Sequence, residues 1–166
     1  MNAPAFRLES VTVDDPRAVE LRGILDDDLD ERYRDADADD TPEVAAKRAA
    51  ALAVHPDQIV ATLLALDADA DDTPIGHVML RRLGDEWELK RLIVRDTARR
   101  RGVGQALTAE VVDLARRGGA ARVILQSGRM QPESLRMYAA SGFTPIAVYE
   151  PYVETMPRSL CFEYVF

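Results

Sequence analysis

Between Arg91 and Arg117 the chain reads RLIVRDTARRRGVGQALTAEVVDLARR. An apolar run leads into Arg95, Arg99, Arg100 and Arg101, and then into two close glycines, Gly102 and Gly104, at the start of a helical pattern. N–H groups in the first turn of a helix have no internal acceptor and carry the positive end of the macrodipole. Gly102 and Gly104 remove side chains that would hold an anion away from those donors. Arg99 to Arg101 can add charge-assisted contacts. Phosphate binding is the chemistry this arrangement suits. The spelling is R-x-x-G-x-G from Arg99 to Gly104; the nucleoside-triphosphate loop is absent, and Leu107 stands where the dinucleotide fingerprint needs its third glycine.

The surrounding elements follow from periodicity and punctuation. FRLESV (Phe6 to Val11) alternates as a strand. Asp14 and Asp15 before Pro16 predict a helix running to about Tyr33, and Thr41-Pro42-Glu43 predicts a second reaching Ala53. Gln58 to Leu66 is a β-branched strand. Ile75 to Leu83 and Trp87 to Val94 flank Gly84-Asp85-Glu86 as an antiparallel hairpin. The glycine-led helix spans Gly102 to Arg117, with Val103, Leu107, Val111 and Leu114 on one face and Gly118-Gly119 closing it. Arg122 to Gln126 is a short continuous apolar run, expected in parallel pairing with both faces buried. A helix from Pro132 to Ser141 stops at Gly142. Two last strands are expected at Phe143 to Tyr149 and Ser159 to Phe166, joined by a proline-broken loop. The order β-α-α-β-β-β-α-β-α-β-β predicts a mixed sheet with helices packed on it, an α/β (α+β) fold in one domain over residues 1–166.

Composition narrows the partners. The 166 residues carry a net charge of -8, with 47% hydrophobic and 30% charged residues, as in ordinary globular proteins. This acidity argues against a nucleic-acid partner. No apolar run approaches the roughly 20 residues that cross a bilayer, so no membrane partner is expected. MNAPAFRLES lacks the basic and apolar regions of a leader. The lone Cys161 cannot form an internal disulfide, which suits a cytoplasmic protein. With His55 and His77 it completes too few soft ligands for zinc, and no metal is expected. Ile24 to Glu43 is strongly acidic and reads either as a solvated face or as a surface drawing in a cationic acceptor.

Two motifs at fixed separation, ELKRLIVRDTARRRGVGQAL (Glu88 to Leu107) and QPESLRMYAASGF (Gln131 to Phe143), resemble those of the GNAT superfamily of acyl-CoA-dependent N-acyltransferases. The resemblance covers Ile75 to Phe166 in detail and agrees with the element order before that. It implies a GNAT-like fold with a central, mostly antiparallel sheet, and acetyl-CoA as co-substrate for an N-acetyltransferase. Leu92, Ile93 and Val94 would pair with the pantetheine amides, and Arg99, Arg100, Arg101, Gly102, Val103 and Gly104 would wrap the pyrophosphate. Gln131 stands where the family commonly has Asn along the pantetheine arm. Tyr138 matches the tyrosine facing the thioester sulfur.

Acyl transfer to an amine needs a neutral nucleophile, an oxyanion donor and a proton for the leaving thiolate. A strand amide near Leu92 to Val94 and the Tyr138 hydroxyl suit the last two. Glu88 resembles the glutamate base of the superfamily's lysine acetyltransferases, and strand alternation groups it with Lys90 and Leu92; a structural or electrostatic role is the other reading. His77 is a rival base. Ser127-Gly128 lacks a nucleophile elbow and Cys161 reads as core, so direct transfer is expected. Tyr149, Tyr152 and Glu154, in Val148 to Ser159, are candidates to grip the amine of a small molecule or a peptide; a plain rigid connection is the alternative. A non-catalytic acyl-CoA-binding or protein-interaction module is the competing function, and exposed strands at the C-terminal edge are compatible with a homodimer.

Overall fold

The computed structural model of the protein describes residues 5–166. Met1 to Pro4, where the stretch read for a leader begins, lie outside the described residues. The elements are β1 (Phe6–Val11), α1 (Pro16–Tyr33), α2 (Pro42–Leu52), β2 (Ile59–Asp67), β3 (Thr73–Leu83), β4 (Glu86–Val94), α3 (Val103–Arg117), β5 (Arg122–Ser127), α4 (Pro132–Ala140), β6 (Thr144–Ile146), α5 (Tyr152–Thr155) and β7 (Leu160–Val165). The first two helices start at the predicted signals. The Asp15 carboxylate accepts from the Arg17 N–H at 2.9 Å, and Thr41 Oγ1 accepts from the Val44 N–H at 3.2 Å.

One seven-stranded sheet runs in the order β1-β2-β3-β4-β5-β7-β6, and only the β4–β5 pair is parallel. Alternation along β2 divides the core. Leu63 and Ala65 join Val78, Leu80, Leu89 and Leu125 beneath the α3 stripe of Val103, Leu107, Val111 and Ala115. Leu64 and Leu66 face Ala18 and Leu21 of α1.

Two departures from regular pairing shape the centre. His77 pairs with Ile93 but Met79 with Lys90, so β4 holds one extra residue around Arg91, whose φ is 56°. The bulge reverses alternation: Leu92 and Val94 pack on the α3 side and Ile93 turns toward α1. Leu92 therefore does not share a face with Glu88 and Lys90, contrary to the expectation from an unbroken strand. The second departure is that β4 and β5 pair only at Trp87–Val123, Glu88–Ile124 and Leu89–Leu125, then part. The apolar run of β5 is thus parallel-paired along one edge for half its length and antiparallel to β7 along the other.

The strand expected over Phe143 to Tyr149 shrinks to Thr144–Ile146. Beyond it the chain leaves the sheet, because Tyr149 and Tyr152 turn inward to reach Glu88.

The end of α1 grips the β5–α4 loop. Arg32 donates to the Met130 carbonyl at 2.8 Å and pairs with Glu133 at 2.6 Å, while the Met130 N–H donates to the Tyr33 hydroxyl at 3.1 Å. A Cβ on Gly128 would lie 1.7 Å from that hydroxyl oxygen. Gly128→Ala should therefore cost about 1 kcal/mol by driving Tyr33 off the Met130 N–H, and adding Tyr33→Phe should cost nothing more. Urea denaturation of the two single variants and the double variant checks this; additive losses would contradict it.

Candidate active site

The glycine loop folds into a cradle at the start of α3. Gly102 caps α3 in the left-handed region at φ 80°, where only glycine is unstrained, and Arg100 shares that region at φ 63°. The first helical bond runs from the Ala106 N–H to the Gly102 carbonyl at 3.0 Å. The N–H groups of Val103, Gly104 and Gln105 precede it and have no helical acceptor. The four arginines then divide. Arg95 donates to the Pro74 carbonyl at 2.7 Å and pairs with Glu20 at 2.9 Å. Arg101 pairs with Asp67 at 2.7 Å, so its side chain braces the end of β2 and does not turn to the cradle as expected. Arg99, held only by an exposed pair with Asp96, and Arg100 stay exposed at the helix entrance.

The parting of β4 from β5 opens a fork beside this cradle. Leu92, Ile93 and Val94 lie on the β4 arm, beyond the last residue paired with β5. Gln131 caps α4 with its side chain uncommitted to the cap, and Gly104 and Tyr138 both neighbour Met137 of that helix. Tyr138 is buried in the α3-side core, edge-on to Phe143 with ring centroids 5.9 Å apart. Burial alone pushes its phenol well above the usual range. A hydroxyl in that state stays protonated through the neutral range and keeps an O–H to donate.

Glu88 lies at the centre of a buried polar hub on the α1/α2 face. It is the cross-strand partner of Arg81, whose Nε donates to Oε1 at 2.6 Å; both side chains are at most 3% exposed. The Tyr149 hydroxyl donates to Oε2 at 2.6 Å and the Tyr152 hydroxyl at 3.2 Å. Burial and the Glu88 charge push both phenols up, so both remain donors. Lys90 reaches the Tyr152 hydroxyl at 3.4 Å, and burial draws its ammonium down to about 8. Tyr149 is half-buried and Glu154 is exposed on α5, which packs against α2. Of the three acceptor candidates, the two tyrosines are thus turned to Glu88 and only Glu154 faces outward.

The sequence profile of the Acetyltransferase (GNAT) family matches residues 20–143. The chain belongs to that family. A curated relative, the IAA acetyltransferase of Azospirillum brasilense, is 30% identical over 77 residues, spanning 46% of this GNAT chain and only 50% of its own length. Among solved structures, a Klebsiella pneumoniae protein assigned as an acyl-CoA N-acyltransferase superimposes with a TM-score of 0.74 at 16% identity, covering 98% of this chain and 99% of that one. A GNAT family acetyltransferase from Elizabethkingia anophelis, solved with acetyl-CoA bound, gives 0.64 at 15% identity, covering 99% and 100%. These two likenesses establish the GNAT fold.

Sequence reading missed the hub's other half. Arg81 could have been found, since it faces Glu88 across the Gly84-Asp85 turn in simple hairpin register. Arg22 could not, because α1 must dock before its guanidinium meets His77. That imidazole is fully buried: Nε2 lies 3.1 Å from Arg22 Nη1 and Nδ1 lies 2.8 Å from the Arg91 carbonyl. Nδ1 thus carries the proton and Nε2 accepts, which leaves neither nitrogen free for an acceptor amine. Burial draws His77 down to about 4, from the 6.5 of a free imidazole. Between those two values the unfolded chain binds more protons than the folded one, so stability must fall as pH falls through that window. From pH 7 to 5 this GNAT protein should lose about 2 kcal/mol more than His77→Gln, measured by urea denaturation at each pH. Equal losses in both proteins would show that His77 protonates freely in the fold.

Proposed function

We propose that this protein transfers an acetyl group from acetyl-CoA to a primary amine by direct attack. The single observation that carries the reading is the unpaired start of α3, whose Gly104 lies against Val94 on the open arm of β4. Solved relatives of the same fold with acetyl-CoA or coenzyme A bound support the choice of co-substrate.

In this reading the pyrophosphate rests on the N–H groups of Val103, Gly104 and Gln105, with Arg99 and Arg100 at the rim. The pantetheine lies along Leu92 to Val94 and beside Gln131. The amine nitrogen attacks the thioester carbonyl carbon. A β4 amide steadies the oxyanion, the C–S bond breaks, and Tyr138 gives its proton to the sulfur. Before attack the ammonium must lose a proton. Glu88 has no exposed surface, so it can serve as base only through Tyr149, whose hydroxyl already donates to it. The amine passes its proton to the Tyr149 oxygen as the phenolic proton moves to Glu88. The rings of Tyr149 and Tyr152, 5.4 Å apart, form the apolar wall of the acceptor site, with Glu154 at its edge.

A screen of acetyl-CoA against a library of amines with free-thiol readout tests the reading; coenzyme A binding without turnover of any amine would leave the non-catalytic module instead. Tyr138→Phe should lower kcat by about a hundredfold and change KM little, and an unchanged kcat would remove the tyrosine from the chemistry. Gly104→Asp sets a carboxylate on the anion cradle and should weaken acetyl-CoA binding about tenfold or more in calorimetry. Unaltered affinity would move the pyrophosphate elsewhere.

A further inference from the structure

The floor beneath α1 and α2 is more positive than an amine site requires. Arg22, Arg81, Lys90 and Arg91 all gather there, yet among the described residues only Arg81 and Arg91 have carboxylate partners, Glu88 and Asp26. Arg22 is spent on neutral groups: His77, the Met79 sulfur and the Val13 carbonyl. Lys90 has three N–H donors and one polar contact, the Tyr152 hydroxyl at 3.4 Å. It follows directly on Leu89, the last residue paired with β5, so it stands where the fork opens. This surplus occurs in a chain of net charge -8.

We infer that the acceptor is a free amino acid, whose carboxylate binds Lys90 while its amine faces the thioester. The inference rests on the acetyl-transfer reading above and deepens it. An ammonium withdrawn from water with too few acceptors gains most from an anion that completes its hydrogen bonds. Burial lowers Lys90, Arg81 and Arg91 add repulsion, and Glu88 only partly offsets them; an arriving carboxylate counters that repulsion. Glu88 close by also disfavours a dianion, so a carboxylate suits the site better than a phosphate. An α-amino acid carries its amine two bonds from the carboxyl carbon, short enough to reach the fork from Lys90. The acidic run of α1 does not contradict this. Asp26 is consumed by Arg91 and Asp28 by Arg32, while Asp27 and Asp30 are exposed on the helix.

Triplets of acceptors test the inference: an amino acid, its primary amide and the corresponding amine without the carboxyl group, each assayed by thiol release with acetyl-CoA. The amide also stands for a peptide N-terminus. The expected result is a kcat/KM about tenfold or more higher for the amino acid than for either analogue. Lys90→Gln should collapse that ratio through KM, with acetyl-CoA affinity retained, and Lys90→Arg should restore it. Equal or better turnover of the amide or the plain amine by the wild-type protein would overturn the inference while leaving acetyl transfer to amines intact. A preference that survives Lys90→Gln would overturn it too. Turnover of no acceptor at all would overturn the acetyl-transfer reading, and this inference with it.

Discussion

Strands β4 and β5 stay hydrogen-bonded for three residue pairs and then separate. Main-chain donors and acceptors are obligatory hydrogen-bonding groups, and a strand edge left open inside a sheet invites another extended chain with amides of its own. Everything around the fork keeps it open. The bulge at Arg91 turns β4 as it leaves β5, and the Arg91 side chain ties the bulge to Asp26 of α1 and to the Leu52 carbonyl at the end of α2. The inward face of α3 fixes where its unpaired N-terminus begins, so cradle and fork are held by one core. Arg95 and Arg101 brace the loop between them from beneath.

The opposite face follows a different rule. A buried Arg–Glu pair is weak evidence for stability, because desolvation consumes most of its attraction, although removing one partner costs about 3–5 kcal/mol. Arg81 and Glu88 make sense as a fixed seat for two tyrosines. Without that anchor the segment after β6 would have no reason to leave the sheet. The same seat leaves Lys90 and Arg22, among the described residues, without carboxylate ion pairs, and this face of the sheet's centre becomes positive although the chain as a whole is acidic.

Much of the fold was legible because local signals and global pairing agree. Asp15-Pro16, Thr41-Pro42 and the Gly84 turn mark real boundaries, and the α3 stripe is the core stripe. The bulge escaped notice because nothing local distinguishes ELKRLIV from a regular strand; an arginine at positive φ is imposed by tertiary contacts from α1 and α2. The shortened β6 was missed for a similar reason, since Tyr149 and Tyr152 are good strand residues claimed by a distant carboxylate. Within the candidate site, the left-handed turn at Gly102 was readable from glycine spacing, whereas the fate of each arginine was not. Side-chain partners such as Asp67 and Glu20 come from elements far away in sequence.

The most direct measurement is a crystal structure of this protein with coenzyme A. The account predicts the diphosphate within hydrogen-bonding distance of the Val103, Gly104 and Gln105 N–H groups, the pantetheine along the open edge of β4, and the sulfur beside the Tyr138 hydroxyl. A coenzyme A bound outside the fork, or a fork closed by the protein's own side chains with the ligand present, would contradict it.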